Sequence, residues 1–190
     1  DALEKLSARE GGTFDPVVDT GSYVVASHTN AGWEEVRPGY FRDFFGVVWN
    51  KTADRTLGVV DDPPLRDYAF GGYRFPDPET FPVYDLIERH NERYPDHFHM
   101  ISIGFSLFER AWSLIGMEEL LTGFYEEPDF IRELLERITE VNLGVIARAS
   151  ERGVDCLHLG DDWGAQVGPM ISPDLWREFV RPPFERTCRA

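Results

Sequence analysis

The chain has 190 residues, and its 19 Lys and Arg against 34 Asp and Glu give a formal net charge of −15. This scattered acidic excess argues against a nucleic-acid partner, because a phosphate-binding surface needs clustered basic residues. Hydrophobic residues make up 42% of the chain, enough for a core and too many for wholesale disorder, while no apolar run approaches the roughly 20 residues that span a bilayer.

Residues 1–76 are rich in Gly, Pro, aromatic and β-branched residues, which predicts strands and loops with few helices. We predict strands over Gly21–Ser27, Tyr40–Trp49 and Arg55–Val60. Residues 50–54 are expected to turn the second strand back onto the third. Asp61-Asp62-Pro63-Pro64 is expected to end the third strand.

Residues 77–190 alternate helical and strand patterns. Asp77-Pro78-Glu79 combines an N-cap, a first-turn proline and a first-turn acid, which predicts a helix that runs to Tyr94. We predict further helices over Leu107–Tyr125 with breaks at Gly116 and Gly123, from Glu127 to Gly153, and after Ser172, and strands over His97–Gly104 and Val154–Gly160. Pro182-Pro183 is expected to interrupt the last helix.

This order of elements is typical of an α/β protein with parallel strands. No GxGxxG loop follows a strand and no Walker loop is present, which disfavours nucleotide-binding folds. A TIM-type (β/α)8 barrel fits better, and a complete one needs about 250 residues. We therefore expect residues 1–190 to be an incomplete portion of one barrel domain, with a strand-and-loop region at 1–76 and alternating barrel units at 77–190.

The predicted strand that ends at Gly160 leads into two adjacent acids, Asp161 and Asp162, and then a side-chain amide, Gln166. Reactive groups of a parallel barrel gather at the carboxyl ends of its strands. A carboxylate there could bind a cationic or N–H-bearing ligand, or exchange a proton if its pKa is raised. The alternative is that one acid caps a turn and the other faces water.

Three more residues belong to this candidate site. His158 lies on the same predicted strand, either as a hydrogen-bonded core histidine, which we favour, or as a residue of the barrel mouth. Phe105 and Glu109 follow the other predicted strand end at Gly104, where the helix dipole alone would account for an acid. His158 has no His or Cys two or four residues after it, so we assign no metal ligand.

The two cysteines, Cys156 and Cys188, are too few for a disulfide framework and form no Cys-x-x-Cys pair. A reducing, cytoplasmic location is therefore expected. Cys156 lies in an apolar run and is interpreted as a buried thiol.

The motif residues Gly160–Gln166, followed by Ile171–Pro182, resemble the uroporphyrinogen decarboxylase superfamily. They are most similar to its branch of corrinoid-dependent methyltransferases and O-demethylase components. Segments Asp43–Trp49, Tyr73–Glu79 and Gly104–Leu121 are similar to upstream segments of that branch, in the same order.

The resemblance implies a (β/α)8 barrel with a cleft at the carboxyl ends of its strands. Decarboxylases of the superfamily act on a tetrapyrrole without a cofactor. The methyltransferases bind zinc and move a methyl group between a corrinoid and a thiol or methoxyl-bearing substrate. The resemblance implies catalytic roles for Asp161 and Asp162. It implies substrate contacts for Gln166, Glu109 and His158. We also predict substrate contacts for Phe105 and Trp163, the aromatic residues that follow the two predicted strand ends.

A methyltransferase is the favoured function, because the decarboxylase segment Gly-x-Pro-x-Thr-Leu and its Tyr have no match at residues 104–112. The alternatives are a cofactor-free uroporphyrinogen decarboxylase and a barrel relative without catalysis. We expect a small-molecule substrate, a corrinoid protein as partner, no membrane contact, and a homodimer as one assembly. Zinc and a corrinoid are expected for the full-length protein, with no residue of this chain assigned to either.

Overall fold

The computed structural model describes residues 23–27, 32–53 and 58–190, and of residues 23–27 it describes the backbone alone. The strands are β1 (Tyr23–Ser27), β2 (Glu34–Arg37), β3 (Tyr40–Arg42), β4 (Val48–Asn50), β5 (Val59–Asp62), β6 (Phe98–Ile103), β7 (Cys156–Leu159), β8 (Gly164–Ala165) and β9 (Gly168–Pro169). The helices are α1 (Val83–Arg93), α2 (Phe108–Ile115), α3 (Met117–Glu126), α4 (Pro128–Ser150), α5 (Pro173–Leu175) and α6 (Arg181–Arg189), with a 3-10 turn at Pro78–Thr80 and a π-helical segment at Trp176–Val180. No helix of the described ranges could cross a membrane.

Three strands form a parallel sheet in the order β1-β6-β7, which confirms the predicted parallel arrangement. Along β6, residues 99, 101 and 103 are buried, whereas residues 98, 100 and 102 are half-buried or exposed. The buried side chains of β6 join one core with α1, α2 and α4. The largest fully buried side chains include Trp49, Phe108, Ile101, Ile103, Leu114, Leu134 and Ile138.

The prediction of one strand over residues 40–49 is wrong, because Asp43 turns the chain there. One carboxylate oxygen of Asp43 accepts the backbone N–H groups of Phe45 at 2.9 Å and Val47 at 3.0 Å. Gly46 completes the turn with a φ of +81°, a conformation that favours glycine. The chain therefore forms a β3–β4 hairpin within the antiparallel sheet β2-β3-β4-β5.

The prediction that the chain turns back and pairs the second strand with the third is confirmed, since Trp49 of β4 pairs antiparallel with Val60 of β5. Residue 54 of the predicted turn, residues 55–57 of the third predicted strand and residues 21–22 of the first lie outside the described part. The Asp61-Asp62-Pro63-Pro64 segment ends the strand as predicted, at Asp62 directly before the first proline. The Asp61 carboxylate binds the guanidinium of Arg37, on β2, at 2.6 Å.

Two predictions for the helices that precede α4 need correction. The helix expected from Asp77 begins as a 3-10 turn and becomes α-helical only at Val83. Gly116 breaks the 107–125 segment as predicted, whereas Gly123 lies within α3. A Cβ at Gly123 would lie 2.8 Å from side-chain atoms of Ile131 and Tyr68, so this glycine permits close packing.

Pro182-Pro183 does not interrupt the last helix. The backbone N–H of Arg181 bonds to the carbonyl of Trp176 across the π-helical segment, five residues back. The two prolines then occupy the first turn of α6, where missing N–H groups are tolerated. Residues 164–169, expected to be a loop, form the β8–β9 hairpin.

A buried ion pair joins the antiparallel sheet to α2. The second carboxylate oxygen of Asp43 accepts the Arg110 guanidinium at 2.6 Å and the Trp49 indole N–H at 3.1 Å. The two charged side chains are 4% and 6% exposed, so neither is solvated by water. Their mutual charge and hydrogen bonds must offset the cost of burying both.

We predict that Asp43→Asn lowers the free energy of unfolding by about 3–5 kcal/mol, because it leaves the Arg110 charge buried and unpaired. Asn can still accept the two turn hydrogen bonds, but its NH2 group would face two donors. The exposed pair supplies a matched control, and Asp61→Asn should cost less than about 1 kcal/mol. Urea unfolding of the full-length protein measures both, and equal effects would contradict the assignment.

Candidate functional site

The carboxyl ends of β6 and β7 lie against each other at two glycines. The Gly160 N–H donates to the Ile103 carbonyl at 2.9 Å, and the Ser106 N–H donates to the Gly160 carbonyl at 3.0 Å. A Cβ at Gly160 would lie 3.4 Å from the Cα of Gly104. The parallel ladder thus continues beyond both strands and places the residues that follow each strand side by side.

Asp161 caps the N-terminus of α2 from across the sheet. Its carboxylate accepts the backbone N–H groups of Leu107, Phe108 and Glu109 at 3.3, 2.9 and 2.8 Å. The Trp163 indole N–H donates to the same carboxylate at 2.6 Å. Four donors and the positive end of the helix dipole therefore surround this side chain.

Two opposing effects act on the Asp161 carboxyl. Burial raises its pKa, while the hydrogen bonds from Glu109, Phe108, Trp163 and Leu107 oppose the rise. Its oxygens are occupied by these donors, which gives Asp161 a structural role. The catalytic role that the sequence predicts for it stays a prediction.

Glu109, in the first turn of α2, carries the strongly shifted carboxyl of the site. Burial raises its pKa from 4.5 to about 7, and the charges of Asp161 and Asp162 add to the rise. A backbone hydrogen bond from Asp162 and the positive charge of Arg110 oppose it. A half-buried carboxyl with this pKa can both release and accept a proton at neutral pH.

Trp163 connects the acids to an open cavity of about 440 Å³. The cavity lies between the β8–β9 hairpin and the beginning of α5. Its wall includes Trp163 and Trp176, whose ring centroids are 5.2 Å apart, and Arg177. Gln166 is exposed in the hairpin turn and does not line this cavity.

The remaining predicted residues lie in two other environments. Phe105 adopts a φ of +53°, uncommon for a non-glycine residue, and its ring contacts Trp49 and Trp112. His158 is exposed rather than buried, and its Nδ1 lies 2.9 Å from the Ser102 hydroxyl. The preferred interpretation of His158 as a core histidine is therefore wrong for the described residues.

The structure thus brings Glu109, Asp161, Asp162 and Trp163 together at adjoining strand ends. Ser102 was not predicted from the sequence, although it lies on the same predicted strand as Gly104. The partner of Asp43 was also not predicted, because that contact lies 67 residues away along the chain.

Within the described ranges, no three His, Cys, Asp or Glu side chains form a group that could hold a metal ion. The three acids of the site do not form such a group, since Asp161 directs its oxygens at backbone donors. The described residues therefore do not fit a zinc site.

Comparison with known proteins agrees with this α/β arrangement. A solved structure of a methyltransferase from Methanosarcina mazei superimposes with a TM-score of 0.65 at 18% identity, over 76% of this chain and 44% of that chain. A curated uroporphyrinogen decarboxylase from Aliarcobacter butzleri (strain RM4018) is 25% identical over 135 residues, which is 65% of this chain and 39% of that protein. The chain thus spans less than half the length of these relatives.

The family model for uroporphyrinogen decarboxylase (URO-D) matches residues 48–190. The fold is that of an α/β enzyme superfamily whose members form TIM barrels. The chain belongs to the uroporphyrinogen decarboxylase family, which confirms the resemblance found in its motifs.

We predict that Asp161→Asn lowers the free energy of unfolding of the full-length protein by about 2 kcal/mol. The introduced NH2 group would face N–H donors in either amide orientation. Asp162→Asn is the matched control, because Asp162 is exposed, and it should change stability by less than about 0.5 kcal/mol. Thermal unfolding distinguishes the two, and a neutral Asp161→Asn would contradict the capping role.

We also predict a pH-dependent contribution to stability from Glu109. Its folded pKa of about 7 exceeds its ordinary value of 4.5, so the folded state holds the proton more tightly. Stability from this group is complete below pH 4.5 and is lost as the pH rises through about 7. Because the group is only half-buried, we expect a loss of about 1–2 kcal/mol.

Glu109→Gln should remove this part of the pH dependence, measured by urea unfolding between pH 5 and 8. The control is Glu118→Gln on α3, since Glu118 is exposed to solvent. Identical slopes for wild type and Glu109→Gln would refute the shifted pKa.

Proposed function

We propose that this chain forms part of the catalytic barrel of a methyltransferase, which moves a methyl group between a corrinoid and a small methylated or thiol substrate. The observation that carries the proposal is the Glu109 carboxyl, with a pKa of about 7, beside Asp161 and Asp162 at the strand ends. We propose that these strand ends are the mouth of the barrel.

Methyl transfer of this kind moves a proton at the atom that loses or gains the methyl group. When a methyl–oxygen bond breaks, its electron pair stays on oxygen, and Glu109 can donate the proton that completes the alcohol. In the opposite direction, a thiol passes its proton to Glu109 as the new sulfur–carbon bond forms. An acid–base group is most effective when its pKa lies near the working pH.

The charges around Glu109 favour a neutral or cationic substrate. Asp161 and Asp162 supply the neighbouring charges, both negative. The nearby cation, Arg110, is buried in its pair with Asp43 and is not available to a ligand. A tetrapyrrole bearing many carboxylates would be repelled by such a mouth, unless residues outside the described ranges reverse its charge.

In this proposal the corrinoid is a methyl-carrying substrate, brought by a separate protein partner. We propose no step through zinc, because the described residues do not fit a zinc site. What Glu109 contributes is the proton, and what the adjacent acids contribute is the electrostatic environment that keeps that proton bound near pH 7.

Decarboxylation of a tetrapyrrole is the second candidate, and the name of the curated relative from Aliarcobacter butzleri supports it. In that reaction a carboxyl group leaves as CO₂ and a proton replaces it on carbon. Glu109 could supply that proton equally well. The two candidates therefore differ in the charge of the substrate that the mouth accepts.

Two mixtures test the proposal on the full-length protein. One contains chemically reduced cobalamin with a methyl ether, and the other contains methylcobalamin with 2-mercaptoethanol. We expect methyl transfer in at least one mixture, which the change in cobalamin absorbance measures. Glu109→Gln should lower its rate about 100-fold, the usual scale for loss of a general acid–base group.

Glu118→Gln should leave the rate unchanged, because this exposed acid lies on α3 and is not among the charges that act on Glu109. A third mixture contains uroporphyrinogen. Its stepwise loss of carboxyl groups, with no transfer in the other two mixtures, would replace the proposal by the decarboxylase. Inactivity in all three would favour the non-catalytic relative.

A further inference from the structure

A serine and a histidine form a pair on neighbouring parallel strands. Ser102 of β6 and His158 of β7 are register partners, and the Ser102 hydroxyl lies 2.9 Å from the His158 Nδ1. Within the described ranges the other ring nitrogen, Nε2, has no hydrogen bond. The acid cluster at the strand ends does not use either side chain.

The pair lies on the face of the sheet opposite the core. His99, Ile101 and Ile103 of β6 are buried on the core side, and strand side chains alternate. Ser102 therefore projects to the other side, where it is half-buried, and His158 beside it is exposed. In a closed barrel, the face away from the helices is the interior face.

The next residue of each strand on that face is a glycine. Gly104 follows Ser102, and Gly160 follows His158, by one strand repeat each. The Gly160 N–H still bonds to the Ile103 carbonyl at 2.9 Å, so the ladder, and with it the alternation, extends to these glycines. No side chain from β6 or β7 therefore separates the Ser102–His158 pair from the strand ends, and these two strands contribute only backbone to this path.

We propose that Ser102 and His158 form a binding subsite for an uncharged hydroxyl or thiol head group of the substrate, reached from the mouth along the Gly104–Gly160 path. This inference rests on the proposed function, since it names the substrate class of that site. The imidazole Nε2 and the serine hydroxyl can each donate or accept, as a hydroxyl or thiol group requires.

Charge selects against anionic head groups. An anionic head group would pass Asp161 and Asp162, the acids whose negative charges help to raise the pKa of Glu109 at the entrance. With glycine at both positions, β6 and β7 place no Cβ on this path. The path therefore suits an uncharged group.

The test observes the His158 ring directly in full-length protein labelled with ¹⁵N-histidine. The His158 signals are assigned by their loss in His158→Asn. The probes are 2-mercaptoethanol, ethylene glycol and acetate. We expect a saturable shift of the His158 Nε2 signal with the thiol, the diol or both, and none with acetate.

Two variants test the geometry. Ser102→Ala should weaken the probe affinity about fivefold, which corresponds to one neutral hydrogen bond. Gly160→Ala should abolish the shift, because a methyl group then narrows the path. Gly72→Ala is the matched control, since a Cβ there meets no atom within 4 Å, and it should bind as wild type does.

The subsite would be overturned if the His158 Nε2 signal does not shift with either uncharged probe, or if it shifts equally with acetate. An unchanged response in Gly160→Ala would overturn the path. The ring signal is read without turnover, so a failure of methyl transfer alone would count against the proposed function and leave the subsite supported by the shift.

Discussion

The Asp161 carboxylate determines the geometry of the strand-end region. It joins the end of β7 to the N-terminus of α2, through backbone N–H groups more than 50 residues earlier in the chain. The same carboxylate holds the Trp163 indole, which forms one wall of the open cavity. Because Glu109 donates its own N–H to Asp161, its side chain lies among the acids that shift its pKa.

A second carboxylate, the buried Asp43, fixes the position of α2 through Arg110. It forms the β3–β4 turn and neutralises Arg110, the residue directly after Glu109. If Arg110 were free, its positive charge would favour ionised Glu109 more strongly. The helix thus has its N-terminus held by one acid and its buried cation matched by another, and Glu109 lies between these two contacts with its raised pKa.

Much of the element order could be predicted from caps and from hydrophobic periodicity, because both signals are local. The errors occurred where a local hydrogen bond that periodicity does not reveal decided the structure. The Asp43 carboxylate accepts the N–H groups of Phe45 and Val47 and turns the predicted strand into a hairpin. The π-helical hydrogen bond from Arg181 to Trp176 carries the helix into Pro182-Pro183 without a break. For the site, position after a strand predicted Asp161 and Asp162, but the hydrogen bonds that enclose the Asp161 carboxylate come from the N-terminus of α2, whereas Asp162 is exposed. The pKa of Glu109 likewise arises from neighbours that sequence spacing does not reveal.

The central claim is that Glu109 carries an exchangeable proton near neutral pH. A carboxyl ¹³C titration of the full-length protein, with the Glu109 signal assigned through Glu109→Gln, tests it most directly. The structure predicts a midpoint at about pH 7. A midpoint at the ordinary glutamate value, near 4.3–4.5, would contradict the account.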